Sequence, residues 1–466
     1  MDNLNERLRG IPQVEKLMQD SDIAYLIPEV GKGVAADIIR GYVEKYRSSI
    51  VDGNSPDISD LKKEIISGVK RKISEKLQRV INGTGIIIHT NLGRAPLGEK
   101  IFETLKDHIS GYCNLEFHIP SKARGKRGGF AEELICQLTG AEDALIVNNN
   151  ASSVFLILKQ FAEGKETVVS RGELIQIGGG FRIPDIMKES GTILVETGTT
   201  NITTIEDYKN AITDNTGMIF SAHTSNYKIE GFSESPSLKE LASIKNDKII
   251  YVRDLGSGNI ISPEKEGEQF EQTVYSEVSQ GPDLVCFSGD KLLGGCQAGI
   301  IVGSKPLIAK LRKHPLMRMI RVDKITYMIL QETLLEYVNG KQKEIELRKL
   351  IMQKPVDVMR NVNQFLNIME NRTGNDYFTV KATKAAYGGG SMPGVELESS
   401  GIEINIPGMK PDEINDFFLS CIPPIAGTVR EDKYVIDFYT VFDRDINDIT
   451  DAAESLIKKK GLNKCI

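Results

Sequence analysis

Short apolar runs recur through the middle of the chain, and stretches with helical periodicity separate them. The runs occupy residues 86–88, 144–147, 167–169, 192–195, 218–220, 249–252 and 284–287. They are rich in β-branched residues, as buried strands are. Strands that alternate with helices predict an α/β domain with a mostly parallel sheet, covered by helices on both faces.

The segments on either side of this domain have different patterns. Residues 1–49 have helical periodicity, and a polar linker with Gly53, Asn54 and Pro56 follows them. Residues 325–336 predict a long helix. After it, a small antiparallel sheet with helices is indicated by the runs 395–397, 403–406 and 434–438. We therefore expect a helical N-terminal domain (1–58), a connecting helix (59–80), a large α/β domain (81–325) and a C-terminal α+β domain (326–466).

Composition narrows the class of protein. The chain has 466 residues, of which 40% are hydrophobic, so it can bury several cores. No apolar run approaches the roughly 18 residues of a membrane helix, and the first residues lack an apolar signal core. We therefore expect a cytoplasmic protein without a membrane partner. The six cysteines form no C-x-x-C pair, so neither a metal site nor a disulfide framework is expected.

The charge is unevenly distributed along the chain. The net charge is −6, whereas residues 1–80 contain 14 Lys and Arg against 13 Asp and Glu. This nearly neutral segment holds a basic cluster on the predicted helix 58–80, formed by Lys70, Arg71, Lys72, Lys76 and Arg79. A solvated helix face explains such a cluster more often than a nucleic-acid contact does. The acidic balance of the whole chain argues against DNA as a partner.

One lysine lies in a glycine-rich loop after the last predicted strand. Lys291 follows the run 284–287, with Ser288 three residues before it and Gly294 and Gly295 after it. A dry, crowded pocket would lower the pKa of its amine and make it a nucleophile. This context is typical of a Schiff base with pyridoxal phosphate, whose phosphate the Ser288 hydroxyl would bind. Taken alone, the Ser-x-x-Lys spacing is more often a solvated loop.

Two further segments offer groups that this cofactor needs. Asp254 follows the run 249–252, and an ionised carboxylate there would pair with the pyridine nitrogen, so that the ring stays an electron sink. The run 144–147 leads into a predicted helix, whose free N–H groups suit a phosphate. The expected contacts at this helix start are Asn149, Asn150, Ala151 and Ser152. The alternatives are a strand-end turn for Asp254 and plain N-capping for the helix start.

Longer motifs resemble a single family over most of the chain. They occupy residues 8–14, 81–85, 89–97, 148–153, 170–174, 181–185, 223–227, 254–258, 287–299, 321–324 and 388–393. In this order they look like the bacterial selenocysteine synthase family, the L-seryl-tRNA(Sec) selenium transferases. Because the motifs are numerous and ordered, chance is not a serious explanation for the resemblance.

The resemblance implies a fold, a reaction and partners. The fold would be type I of the pyridoxal phosphate-dependent transferases. The enzyme would convert seryl-tRNA(Sec) to selenocysteinyl-tRNA(Sec) by β-elimination to an aminoacrylyl intermediate and addition of selenium from selenophosphate. Arg94, Arg318 and Arg321 match the family's positions for this anion, whose oxygens suit forked guanidinium donors. The N-terminal domain would hold tRNA(Sec). The chains would form a homo-oligomeric ring of dimers, in which the loop 121–130 completes a neighbour's site.

Several positions depart from the family pattern, and three of them lack an arginine. Ile202, Thr428 and Tyr439 stand where the pattern has arginine, which leaves the anionic substrate open. The alternative is a pyridoxal phosphate-dependent lyase of the same family that acts on a small phosphorylated amino acid or amino sugar acid. Such a lyase would not need the N-terminal 80 residues, so their presence favours tRNA. A non-catalytic binding protein would be expected to lose the lysine or its aspartate partner, and the chain retains both.

Overall fold

A bundle of helices forms the N-terminal region. The computed structural model describes residues 2–54, 57–177, 180–223, 227, 229, 231–261 and 270–461. The N-terminal helices are α1 (Asp2–Arg9), α2 (Val14–Met18), α3 (Ser21–Ala24), α4 (Ile27–Val30), α5 (Lys32–Val51) and α6 (Ile58–Ser74). They enclose a small apolar core of their own.

Helix α6 shows how the sequence sets this bundle. Every fourth residue of α6 is buried in the core that it shares with α5, namely Leu61, Ile65, Val69 and Ile73. Asp57 caps the first turn by accepting from the N–H of Ser59 at 2.8 Å. The helix was predicted to reach residue 80 but ends at Ser74, because the next apolar residue, Leu77, is fully exposed and has nothing to pack against.

A seven-stranded sheet forms the centre of the large domain. The strands up to the end of this sheet are β1 (Ile81–Asn82), β2 (Phe117–His118), β3 (Ala123–Arg124), β4 (Asp143–Val147), β5 (Glu166–Ser170), β6 (Gln176–Ile177), β7 (Phe181–Arg182), β8 (Ile193–Thr197), β9 (Thr216–Ala222), β10 (Ile250–Gly256), β11 (Leu284–Ser288) and β12 (Gly299–Gly303). The strand order in the sheet is β4-β12-β11-β10-β9-β5-β8. All neighbours pair in parallel except β12, which is antiparallel to both β4 and β11.

The sequence predicted most of this sheet, with two differences. The run 86–88 is not part of it. Instead, the N–H groups of Ile87 and Ile88 donate to the carbonyl groups of Ala386 and Tyr387, at 2.9 and 2.7 Å. This run therefore fastens the start of the large domain to the C-terminal region. Strand β12 was not predicted, although its residues are buried between β4 and β11.

Helices cover both faces of the sheet. Those of the large domain are α7 (Glu99–Ser110), α8 (Gly129–Thr139), α9 (Asn150–Phe161), α10 (Ile183–Ser190), α11 (Ile205–Ala211), α12 (Leu238–Ser243), α13 (Val274–Val278), α14 (Lys305–Lys313) and α15 (Met317–Ile320). Separate apolar clusters lie on the two sides of the strands. Among the described residues, no helix is both long enough and apolar enough to cross a membrane.

The C-terminal region is an antiparallel sheet with helices. Its helices are α16 (Lys324–Val338), α17 (Glu346–Met352), α18 (Pro355–Arg372), α19 (Pro411–Leu419) and α20 (Ile446–Lys459). Its strands are β13 (Phe378–Ala386), β14 (Glu396–Ile404), β15 (Ile425–Ala426), β16 (Thr428–Arg430) and β17 (Lys433–Asp437). The sheet order is β13-β14-β17-β16, and β15 pairs in parallel with β1. The predicted runs 395–397 and 403–406 are mostly two ends of the one strand β14, and β13 was not predicted.

Candidate active site

A cavity of about 190 Å³ opens where the neighbouring strands β10 and β11 end. This is the edge at which open parallel sheets collect ligand sites. The predicted residues that line the cavity are Arg94, Asn149, Asn150, Ala151, Asp254, Ser288 and Lys291. The chain brings them together from four separate segments of the sequence.

Lys291 is buried in the wall of this cavity, with 6% of its surface exposed. Its loop is fixed by the N–H of Leu292, which donates to the carbonyl of Ser257 at 2.9 Å. Burial lowers the pKa of the Lys291 amine, and the Arg94 cation lowers it further, while Asp254 opposes them. An amine with a lowered pKa loses its proton more readily, so it is more available as a nucleophile and as a base.

Asp254 lies near the end of β10 and is 6% exposed. The side-chain amide of Asn150 donates to its Oδ1 at 2.8 Å. Burial raises the pKa of the Asp254 carboxyl, against the opposing effects of the Asn150 hydrogen bond and the nearby Lys291 amine. A cation that entered the cavity would lower the pKa of this carboxyl and so keep it ionised.

The start of α9 forms another wall of the cavity. Asn149 caps the helix by accepting from the N–H of Ser152 at 2.8 Å, which is the contact that N-capping requires. Ser152 itself is not among the lining residues. Strand β12 passes so close that a Cβ on Gly299 would lie 2.1 Å from the carbonyl oxygen of Asn149. Glycine is therefore required at this position, because it keeps the helix start against the sheet.

The three predicted anion-binding arginines occupy different environments. Arg94 lines the cavity, and its Nη1 donates to Asp290 Oδ2 at 2.9 Å. Arg318 and Arg321 are exposed and do not line it; Arg321 lies 3.8 Å from Glu116. Their segment is nevertheless joined to the site, because the N–H of Asn148 donates to the carbonyl of Ile320 at 2.9 Å.

Two titratable residues that line the cavity were not singled out as site residues from the sequence. Asp290 is buried beside Lys291 and pairs with Arg94. His223 follows β9, and its backbone N–H donates to the carbonyl of Asp254 at 2.8 Å. Burial lowers the pKa of the His223 imidazole to about 4, so the ring is neutral at pH 7. A signal for His223 was available, since it follows an apolar run, whereas the sequence does not distinguish Asp290 beyond its place before Lys291.

Several buried polar atoms around the cavity make no hydrogen bond with a described residue. Three buried atoms around it have no hydrogen-bond partner among the described residues: Asn150 Oδ1, His223 Nδ1 and Asp290 Oδ1. Buried polar atoms are normally satisfied, and several unsatisfied ones in one cavity are best explained by a polar molecule that binds there. Together with an aspartate, a lysine and a helix start, they fit pyridoxal phosphate, an aromatic ring with a ring nitrogen, a hydroxyl and a phosphate.

Comparison with known proteins gives a consistent result. The L-seryl-tRNA selenium transferase family matches residues 80–442. An L-seryl-tRNA(Sec) selenium transferase from Carboxydothermus hydrogenoformans is 39% identical over 450 residues, which cover 95% of this chain and 96% of that protein. The transferase from Aquifex aeolicus is 38% identical over 452 residues, with coverages of 97% and 99%.

Among solved structures, D-glucosaminate-6-phosphate ammonia-lyase is similar in fold. The TM-score is 0.57 at 16% sequence identity, over 87% of this chain and 99% of that chain. The predicted α/β fold of type I pyridoxal phosphate enzymes is thus confirmed, and this likeness bears on the fold alone. This chain is similar to the two transferases named above over nearly their whole length. It therefore belongs to the L-seryl-tRNA selenium transferase family.

Proposed function

We propose that this chain converts L-seryl-tRNA(Sec) into selenocysteinyl-tRNA(Sec), with pyridoxal phosphate as its cofactor and selenophosphate as the selenium donor. The observation that carries the proposal is the match at 38–39% identity over nearly the full length of the curated transferases. The cavity with Lys291 and Asp254 supports it, because it provides the groups that the cofactor needs. We also propose that the protein acts in the cytoplasm, because a reaction on aminoacyl-tRNA belongs there.

Pyridoxal phosphate is the cofactor of this family, and when bound it withdraws charge from the α-carbon of an attached amino acid. Lys291 would hold the cofactor and, once released, remove the α-proton of the seryl group, because its buried amine has a lowered pKa. Asp254 would hold the ring nitrogen. The N–H groups at the start of α9, with Ser288, would hold the phosphate.

We assign the selenophosphate site to Arg94, Arg318 and Arg321. Arg94 lines the cavity beside Lys291, so its guanidinium would orient the anion toward the β-carbon. Arg318 and Arg321 are exposed on the segment that Asn148 ties to the site, and they would bind the outer oxygens. Arginine guanidinium groups suit such an anion, because they are permanently charged and present several N–H donors in one plane.

We place tRNA binding on residues 1–58 and the connecting helix. Of the basic cluster, Lys72, Lys76 and Arg79 are engaged in ion pairs, whereas Lys70 and Arg71 are exposed and pair with no described acid. Two free cations on one helix are available for the phosphates of a tRNA. The large domain (81–325) would supply the cofactor site, and the C-terminal domain (326–466) would pack over it.

Charge reversal on α6 tests this assignment. Lys70→Glu with Arg71→Glu should weaken seryl-tRNA(Sec) binding roughly tenfold or more and flatten its salt dependence, because phosphate contacts release counterions. The control is Lys63→Glu on the same helix, whose lysine already pairs with Asp60 at 2.9 Å. Filter binding over a range of salt concentrations measures both effects. Unchanged affinity in the double variant would move the tRNA site elsewhere.

The transferase reaction itself is tested with the full chain. Loaded with cofactor, it should form selenocysteinyl-tRNA(Sec) from seryl-tRNA(Sec) and selenophosphate. Failure with this substrate, together with ammonia release from a small phosphorylated amino acid or amino sugar acid, would establish the lyase alternative instead.

We propose a homo-oligomer, a ring of dimers, in which the loop 121–130 takes part in a shared site. Within its own chain, Arg127 Nη2 contacts Glu116 Oε1 at 2.5 Å, and Nη1 donates to the carbonyl of Val322 at 3.0 Å. Around this loop the chain exposes large apolar side chains, which include Tyr112, Phe117, Ile119 and Phe130. An apolar surface beside a basic loop suits a second copy of the chain.

Mixed oligomers test whether sites are shared. Lys291→Ala and Arg127→Ala chains should each be inactive alone, and random mixing should restore about a quarter of the activity, because one intact site forms in each mixed dimer. Activity after unfolding and refolding the mixture together, compared with mixing the folded proteins, is the measurement. If verified mixed oligomers stay inactive, the loop serves its own subunit.

A further inference from the structure

A second, larger cleft adjoins the cofactor cavity. It has a volume of about 860 Å³, and His223 lines both spaces. One wall belongs to the large domain, and the other includes Met392, Pro393 and Gly394 of the C-terminal region. The cofactor cavity, at about 190 Å³, has little room beyond the cofactor. A substrate whose amino group reaches Lys291 must therefore place the rest of its structure in an adjoining space.

We propose that this cleft binds the 3′-terminal nucleoside of the aminoacyl-tRNA, and that the Glu271 carboxyl accepts a hydrogen bond from a hydroxyl or amino group of that nucleoside. The inference rests on the proposed function, because the seryl group of that substrate is an ester of the terminal ribose. It adds a binding site for the end of the tRNA that is separate from the cofactor cavity.

Glu271 is held rigidly where it lines the cleft. Its Oε1 accepts from the N–H of Met392 at 2.6 Å, and its own N–H donates to Met392 Sδ at 3.2 Å. Its carbonyl accepts from the side-chain amide of Asn259 at 2.7 Å. Met392 has a φ of 51°, an unfavourable conformation for a residue with a side chain, which these contacts help to maintain. The position of the carboxyl is thus fixed before any substrate arrives.

The other oxygen of this carboxyl has no partner. Glu271 is only 8% exposed, yet Oε2 makes no complete hydrogen bond with a described residue. The Ser257 hydroxyl lies near enough to this carboxyl to lower its pKa, but Ser257 Oγ also completes no hydrogen bond. An unsatisfied buried acceptor costs free energy that a ligand donor recovers on binding. Burial raises the pKa of Glu271, and Ser257 and Met392 oppose this rise. A donor from a ligand would stabilise the ionised form in the same way.

The charges around the cleft favour a nucleoside over a phosphate. Glu173, Glu271 and Glu277 line it, and Arg253 is already paired, with its Nε donating to Glu277 Oε2 at 2.8 Å. Burial raises the pKa of Glu173 to about 7, and the His223 imidazole is neutral. Among the described lining residues no cation is left to bind a phosphate. Sugar hydroxyls and a base amino group, by contrast, are donors that match carboxylate acceptors.

A stable substrate analogue tests the site. The probe is 3′-(L-serylamino)-3′-deoxyadenosine, in which an amide replaces the ester, titrated calorimetrically into the cofactor-loaded full chain. Glu271→Gln keeps the acceptor for Met392 and should weaken probe binding about tenfold or more, since a hydrogen bond to a charged group is lost. Binding of free L-serine, which does not reach the cleft, should change less than twofold. The control, Asp214→Asn, alters a separate surface depression and should bind the probe as the wild type does.

Two altered probes identify the donor and keep the test valid if the variant folds poorly. One lacks the 2′-hydroxyl and the other lacks the 6-amino group of adenine. The wild-type protein should bind at least one of them about tenfold more weakly than the parent probe, and Glu271→Gln should no longer make that distinction. Equal binding of all three probes by the wild type, or full discrimination by Glu271→Gln, overturns the proposal. If the wild type makes no selenocysteinyl-tRNA(Sec), the proposed function itself fails, whatever the probes do.

Discussion

Replacement of Lys291 by alanine should abolish turnover of seryl-tRNA(Sec), by roughly a thousandfold or more. The same amine is assigned two tasks, attachment of the cofactor and removal of the α-proton, so a single substitution removes both. It is the buried lysine in the wall of the cavity, 6% exposed, and its pKa is lowered mainly by burial. The assay is selenocysteinyl-tRNA(Sec) formation with saturating cofactor.

A chemical readout separates attachment from folding. After borohydride reduction of the wild-type protein, the mass of the cofactor should be found on the peptide that contains Lys291. Lys291→Ala should carry no such label, and its melting temperature, compared with that of the cofactor-free wild type, checks that the variant is folded. Lys310→Ala, an exposed residue of α14, should be labelled and active as the wild type is. Label on a different lysine of the wild-type protein would contradict the assignment of Lys291.

The sheet was largely predictable because each strand is a short apolar run between polar segments. Six of the predicted runs are strands of the central sheet, and the helix after β4 also starts where expected. The run 86–88 looks the same in sequence but pairs with the C-terminal region, since only the tertiary structure decides which partner a short apolar run finds. Strand β12 returns antiparallel from the Lys291 loop, and alternating strands and helices give no indication of such a return.

The site was predictable to the extent that its residues follow strands or start helices. Lys291, Asp254 and the Asn149–Asn150 pair all do so, and the structure brings them to one cavity. Asp290 could not be ranked, because its importance comes from its ion pair with Arg94, nearly two hundred residues earlier in the chain. The cleft beside the cavity was not predictable either. It depends on Met392, whose contacts with Glu271 exist only once the C-terminal region has packed against the large domain.

Replacement of Asp254 should have the second largest effect. Asp254→Ala should lower turnover by about two to three orders of magnitude, because a buried charge that faces the reacting group is lost. Some cofactor should remain bound, since Lys291 and the helix start are unchanged. Asp254→Asn is the sharper variant, because its carbonyl oxygen can still accept from the Asn150 amide, a bond of 2.8 Å in the native chain.

The comparison of these two variants separates charge from packing. If the carboxylate acts through its charge on the ring nitrogen, Asp254→Asn should lose nearly as much activity as Asp254→Ala while it melts close to the wild-type temperature. Asp247→Asn, at a surface position far from the cavity, controls for the amide substitution itself. Near-normal turnover in Asp254→Asn would show that hydrogen bonding suffices and that another acid holds the ring. A loss confined to Asp254→Ala would point to packing, since that variant alone removes the contact with Asn150 and leaves a void beside β11.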